Sequence, residues 1–364
     1  MHVQHLWLKD FRSYESVDLE LTPGLCAVLG PNGVGKSNLL EAVAYLAMLE
    51  SFRGAPSEAL VRAGAEVAVV RGSIEGDGRE QLIEAELVAN GRNRVLVNRQ
   101  RLTRSRDLLG ALRTTVFSPD DLSLIKGGPG LRRVLLDQLL VSLDPRNDAL
   151  RSEFERAVRQ RNALLKQTRG RLDEAAELTL EVWNTKLVES GEELASRRSH
   201  LVSQLEPLVV TAYGDVAGES QPITLRYEST WREVGLAAAL AAVRADELRR
   251  GVTLVGPHRD DLSVRLNDLP SRTHSSQGEQ RSLALALRLA GHRLVTECVG
   301  SAPVLLLDDV FSELDPKRSA ALLRSLPSGQ TLLSSAAGLP DGVHVDQVLR
   351  VTPGQVGEVA REGT

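Results

Sequence analysis

Hydrophobic and polar positions alternate at the start of the chain: Leu6 and Leu8, then Val17, Leu19 and Leu21, followed by the apolar run Leu25–Leu29 that stops at Gly30. A period of two predicts half-buried strands, and a short unbroken apolar run predicts a fully covered one. Between residues 67 and 102 further alternating segments are broken by Gly72, Gly76, Gly78 and Gly91, the pattern of an antiparallel layer with tight turns. From Leu131 the period lengthens to three or four. Ala176, Leu180, Trp183, Leu187, Ser190, Leu194, Leu201, Leu205 and Leu208 keep heptad spacing, with Arg197 or Arg198 interrupting the seam. That spacing predicts a long helix packed on the one over residues 150–165. At about 1.5 Å per residue, a helix of roughly 35 residues spans about 50 Å, a short arm. An Ala-rich helix follows at 236–245. Strand patterns return beyond Gly251, at 252–255, at Leu262, Val264 and Leu266, at Val304–Leu307 and at 331–333. The expected architecture is α/β: a head with a mixed sheet drawn from both ends of the chain (residues 1–120 and 251–364), interrupted by a helical lobe with a short antiparallel helix pair (121–250).

Composition narrows the class. A chain of 364 residues has room for two domains, and 42% hydrophobic with 25% charged residues excludes disorder as the main theme. No apolar stretch approaches the roughly 18 residues of a membrane span. Residues 1–10 lack a basic region followed by an apolar block, so a cytoplasmic protein with no membrane partner is expected. Cys26 and Cys298 have no paired spacing and predict no disulfide framework or zinc site. A net charge of −4 excludes a polycation, so any nucleic-acid surface must be a local basic patch.

Three motifs carry chemistry. Gly30-Pro31-Asn32-Gly33-Val34-Gly35-Lys36-Ser37 is a P-loop string, placed after an apolar strand and before a helix with Leu39, Leu40, Val43, Leu46 and Ala47 on one side. Glycines let backbone N–H groups turn inward around a phosphate, and the helix start adds its partial positive charge. Lys36 is placed to reach the β- and γ-phosphates of ATP and Ser37 to ligate Mg²⁺. The strand Val304–Leu307 delivers Asp308 and Asp309 at its C-terminal end, which reads as a Walker B motif: Asp308 for Mg²⁺, Asp309 for the attacking water. Ser276-Gln277-Gly278-Glu279-Gln280-Arg281 precedes a Leu-rich helix with capping-box spacing between Ser276 and Glu279. A second phosphate-seeking helix start finds a use if Ser276 meets the γ-phosphate held by another subunit.

These strings, with Gly256-Pro257-His258-Arg259-Asp260-Asp261 and the run from Leu305 to Asp315, resemble the RecF family of DNA replication and repair proteins over nearly the whole chain. The resemblance implies an ABC-type, SMC-like head ATPase that forms an ATP-dependent homodimer. Such a protein binds double-stranded DNA near single-strand junctions and works with RecR, and indirectly RecO and RecA. It implies nucleotide contacts from the loop residues Gly30 to Ser37, from Asn38, and across the dimer from Ser276 and Gly278. Arg12 and Arg53 fall where such proteins keep nucleotide-contacting arginines. Arg92, Arg94, Arg99, Arg101, Arg104 and Arg106 lie within fifteen residues on an expected hairpin around Asn98-Arg99. Such a run reads as a solvated face or, in a protein that meets a phosphate backbone, as the DNA contact.

Three departures from the general ABC pattern stand out. Gln277 replaces the first signature glycine, as RecF-like proteins share. Asp309 replaces the usual glutamate, a shorter base consistent with slow hydrolysis; the expected activity is a slow, DNA-stimulated ATPase. Ser334-Ser335 occupies the place of the switch histidine, where a hydroxyl can sense phosphate but is no strong base. His258 and the Pro119-Asp120-Asp121 loop are read as polar turns without chemistry. Two rival classes fit less well: the family comparison implies that a compact transporter nucleotide-binding subunit lacks the intervening lobe between Lys36 and Ser276, and a small-molecule P-loop kinase needs neither a Ser276 signature nor an Arg-rich hairpin.

Overall fold

The computed structural model describes residues 1–76, 78–168, 171–312, 314–340 and 343–359, which fall into two units. One comprises Met1–Ile125, Leu208–Gln221 and Ser275–Thr364, the other Lys126–Pro207 and Pro222–His274.

The first unit opens with the antiparallel pair β1 (His2–Phe11) and β2 (Tyr14–Glu20). On β1 the buried residues are Val3, Leu6, Leu8 and Phe11, and the uneven step from Val3 to Leu6 coincides with a bulge in the pairing with the neighbouring strand. Strand β3 (Leu25–Leu29) runs into helix α1 (Lys36–Met48). Next come β4 (Val67–Gly76), β5 (Arg79–Val88), β6 (Arg94–Val97) and β7 (Gln100–Arg101), completing an antiparallel sheet in the order β2-β1-β4-β5-β6-β7. The alternating burial of Ala68, Val70 and Ile74, and of Ile83, Ala85 and Leu87, turns one face of this sheet onto α1. Gly72 lies under that helix: a Cβ there would stand 2.7 Å from Leu46 Cδ1. Strand β8 (Thr114–Phe117) belongs to the other sheet.

Helices α2 (Leu122–Lys126), α3 (Pro129–Leu143), α4 (Arg146–Thr168) and α5 (Glu174–Ala217) follow. Then come β9 (Ile223–Glu228), α6 (Leu236–Arg250), β10 (Asp261–Leu266), β11 (Leu269–Pro270) and α7 (Ser271–His274). In the second unit Arg161 of α4 donates to Asn184 of α5 at 2.8 Å, and Arg197 of α5 donates to Asn147 of α4, an antiparallel pair as the periodicity predicted. The residue that interrupts the seam is Arg198: it is buried and forks onto Asp137 of α3 at 2.8 and 2.7 Å, which satisfies the charge inside the lobe. Helix α5 has 44 residues, longer than the heptad run implied, because it continues through Pro207 to Ala217. Its buried positions move from Leu205 to Val209 rather than Leu208, the drift of a 3.6-residue helix away from a strict seven-residue repeat.

The chain returns to the first unit with α8 (Gln277–Val299), β12 (Val304–Leu307), α9 (Pro316–Arg324), β13 (Thr331–Ser335), β14 (Gln347–Thr352) and β15 (Gln355–Glu358). The second sheet has the order β15-β14-β3-β13-β12-β8, parallel except for β15. All four residues of β12 are buried, as a parallel strand covered on both faces requires.

The expected division of the chain differs from the observed one. Residues 251–274, assigned from sequence to the second head segment, cluster with the helical unit, and 208–221 cluster with the head. Leu262, Val264 and Leu266 do lie on a strand, but β10 pairs antiparallel with β9 in a separate three-stranded sheet. Residues 252–255 form no strand. Their polar groups are met by side chains: Asn162 accepts the Thr253 N–H at 2.7 Å and Glu247 accepts the Leu254 N–H at 2.8 Å. Among the described residues no helix is long and apolar enough to cross a membrane.

Candidate nucleotide site

Parallel pairing places the C-terminal ends of β3, β13 and β12 side by side, with Leu29 opposite Ser335 and Leu307 opposite Leu333. The P-loop, Ser334-Ser335 and Asp308-Asp309 therefore emerge at one sheet edge, the position where open α/β sheets hold ligands. Two glycines are obligatory here. A Cβ at Gly30 would stand 2.4 Å from the Val351 carbonyl oxygen, and Gly35 sits at φ 116° with Ser13 Oγ 2.7 Å from any added Cβ. Tyr14 Oη donates to the Gly35 carbonyl at 3.0 Å, and burial pushes its phenol well above the usual range, so it stays a donor. Helix α1 starts without a side-chain cap, so no side chain competes with an anion for the amides at its start.

Lys36 is 6% exposed, and its ammonium donates to the Pro31 carbonyl at 2.9 Å and to Asn32 Oδ1 at 3.5 Å, folding the loop over itself. Ser37 Oγ donates to Asp308 Oδ1 at 2.8 Å, joining the P-loop to the Walker B strand. The fully buried Ser334 donates to the same Oδ1 at 2.7 Å and accepts the Asp309 N–H at 2.9 Å. One serine on β13 thus sets both aspartates. Asp309 lies at φ 48°, a left-handed conformation that Asp tolerates better than most residues, and this turns the chain directly after Asp308.

Arg12 and Arg53 are placed differently from each other. Arg12, at φ 55°, forks onto Glu41 at 2.8 Å through Nε and 2.8 Å through Nη2, while Nη1 donates to the Ala59 carbonyl at 2.9 Å. Glu41 is 0% exposed, lies on α1 and also accepts from Ser51 Oγ, whose oxygen in turn accepts the Arg53 N–H at 3.1 Å. This buried carboxylate organises both arginine-bearing segments. Arg53 is exposed and reaches Asn38 Oδ1 at 3.5 Å; Asn38 Nδ2 donates to Ser13 Oγ at 2.9 Å. Sequence reasoning missed Glu41 and the bracing role of Ser334. The only local signal for Glu41 was a carboxylate on the otherwise apolar side of the P-loop helix.

Ser276 caps α8 as its spacing predicted: the Glu279 N–H reaches Ser276 Oγ at 3.3 Å and the Ser276 N–H reaches Glu279 Oε2 at 2.6 Å. Among the described residues no hydrogen bond joins Ser276 or Gly278 to the P-loop of the same chain. The Arg-rich segment forms the expected hairpin, with Asn98 at φ 50° and Arg99 at φ 65° as its two turn residues. It lies at the sheet edge opposite β2, and Arg92, Arg94, Arg99, Arg101, Arg104 and Arg106 are all exposed. Arg94 pairs with Glu86 at 3.6 Å; the other five have no acidic partner among the described residues.

A P-loop helix between an antiparallel and a parallel sheet, a Walker B strand beside it and a separate capped signature helix define an ABC-type ATPase head. The RecF/RecN/SMC N-terminal domain profile matches residues 2–333. The chain is 46% identical over 352 residues to the DNA replication and repair protein RecF of Streptomyces avermitilis, covering 93% of this chain and 94% of that one. It is 43% identical over 354 residues to the RecF protein of Acidothermus cellulolyticus, covering 94% and 95%. A solved structure of the recombination mediator protein RecF with ATP matches at a TM-score of 0.90 and 31% identity, over 99% of this chain and 98% of that one. The chain belongs to the RecF family, and its function is of the RecF type: an ATPase of recombinational DNA repair.

Proposed function

We propose that the chain is a cytoplasmic, ATP-dependent clamp: two copies close on ATP over double-stranded DNA beside a single-strand junction, and slow hydrolysis releases them. Bound there, it works with RecR and through it with RecO and RecA. The observation that carries the reading is the signature helix start, which among the described residues makes no hydrogen bond to its own P-loop. A two-fold dimer supplies the missing partner, because each signature then faces the other copy's phosphates.

Mg²⁺ fits the residues present. Ser37 Oγ and Asp308 Oδ1 are hard oxygen donors 2.8 Å apart. Among the described residues no cluster of three or more His, Cys, Asp or Glu forms a cation cage, and an ion that takes its other oxygens from phosphates and water needs none. When bound, the ion supplies charge neutralisation on the phosphates. Lys36 binds and orients the phosphate chain, and Asp309 accepts the proton of the attacking water at its carboxylate.

Asp309→Asn is the test of that last role. Asn tolerates the left-handed backbone as Asp does, and the N–H donated to Ser334 is kept, so fold and ATP binding should survive. Hydrolysis in a single-turnover assay is expected to slow by about 10²–10⁴-fold, and the ATP-bound dimer to last correspondingly longer. Hydrolysis at the parent rate would place the base elsewhere.

The exposed arginines are the proposed DNA contact. Replacing Arg99, Arg101 and Arg104 with Ala should weaken duplex binding while leaving ATP binding unchanged. Loss of about three phosphate contacts should flatten the slope of log K against log salt concentration by roughly 2–3 units per subunit. An unchanged slope would return the hairpin to a solvated face.

A further inference from the structure

The start of α8 is crowded with negative charge for a place meant to meet a triphosphate. Glu279 lies in its first turn, and its carboxylate accepts the Ser276 N–H at 2.6 Å. Asp315, the N-cap of α9, is half exposed, and the hydrogen bond from the Arg318 N–H, at 3.0 Å, holds its carboxyl below the usual range, so it is ionised. Two carboxylates and an approaching γ-phosphate repel one another. Arg318 lies against both elements. Arg318 Nη1 lies 3.2 Å from Asp315 Oδ2, and the same atom lies 2.4 Å from where a Cβ on Gly278 would stand, so the guanidinium crosses the signature glycine itself. The phenol of Tyr213, pushed up to about 12 chiefly by burial, is raised further by Glu279 and Glu219 and lowered by Arg318.

We propose that Arg318 is the positioning and charge-compensating residue of the signature half-site: lying across Gly278, it offsets Asp315 and Glu279 and makes the start of α8 receptive to the γ-phosphate held by a second copy. The proposal rests on the composite-site reading above. It also gives Gly278 a reason to lack a side chain. The obstructed atom is the end of a flexible arginine, so a methyl group at Gly278 displaces the guanidinium rather than the backbone.

The cap of α9 does not depend on the Arg318 side chain, because the bond to Asp315 comes from the backbone N–H, so Arg318→Ala should fold. The experiment measures molar mass by light scattering against ATP concentration for the full chain, alongside ATP affinity, in Arg318→Ala, Arg318→Lys, Gly278→Ala, the Gly278→Ala/Arg318→Ala pair and Ser276→Arg. Arg318→Ala should bind ATP as the parent does but need at least about tenfold more protein to dimerise, a defect that narrows as salt screens the carboxylates. Arg318→Lys should recover part of the loss by keeping the charge. Gly278→Ala should reproduce the defect, and the pair should be no worse than either single change, since both remove one interaction. Parent-like dimerisation of Arg318→Ala, a salt-independent defect shared by Arg318→Lys, or additive losses in the pair would each overturn the proposal. Ser276→Arg separates the two levels: if it dimerises normally the composite site itself fails, and if it alone fails to dimerise only the role of Arg318 falls.

Discussion

Lys36→Ala is expected to lose nucleotide binding and everything that depends on it, while its thermal transition stays close to that of the parent. The ammonium of Lys36 lies inside the loop and, among the described residues, bonds only to loop oxygens, the Pro31 carbonyl and Asn32 Oδ1. Truncation therefore removes two local hydrogen bonds, about 1 kcal/mol each, and leaves the packing of Leu39, Leu40, Val43 and Leu46 untouched. In the nucleotide complex the same group would make charge-assisted bonds to phosphate worth about 1.5–3 kcal/mol each. Two such bonds correspond to an affinity loss of at least about 100-fold, readable by titration calorimetry with ATP. Parent-like affinity would remove the P-loop from the account.

Ser276→Arg is expected to show the opposite separation. Lys36, Ser37 and Asp308 are untouched, so each chain should still bind ATP in its own P-loop. The capping box is lost, at about 1 kcal/mol, from a helix of 23 residues that is buried on several sides through Leu283, Leu285, Leu287 and Leu289. Yet a long side chain now fills the space above the helix start. ATP-dependent dimerisation, hydrolysis and ATP-dependent DNA affinity should all fall to background, measured by light scattering, phosphate release and fluorescence anisotropy. A variant that dimerises and hydrolyses normally would reduce Ser276 to a helix cap.

The parts of this molecule that were legible in the sequence are those whose chemistry is written in neighbouring residues. The P-loop needs its glycines within one turn, β12 needs four apolar residues before its two aspartates, and the Ser276 cap needs Glu279 three residues on. The Asn98-Arg99 turn is local in the same sense. Partnerships across the chain were not legible. The alternation of Leu262, Val264 and Leu266 specifies a strand with one buried face, and nothing in a period of two says whether that strand joins β12 or β9. Glu41 stands on α1 among apolar residues, and only the fold brings Arg12 and Ser51 to it. Ser334 was marked as a phosphate sensor from its place after a strand. Its burial and its bonds to Asp308 Oδ1 and to the Asp309 N–H make it a brace, a role that depends on partners outside its own strand.

If the catalytic site is shared between two copies, mixing two inactive chains restores activity. Lys36→Ala lacks a working P-loop but keeps Ser276; Ser276→Arg lacks the signature but keeps Lys36. In a two-fold dimer of one of each, one interface pairs the intact P-loop with the intact signature, and the other is broken on both sides. The phosphate-release rate of the mixture should rise well above that of either variant alone, to at most about half the parent rate per mixed dimer. A mixture no more active than its components would contradict a site completed across the dimer.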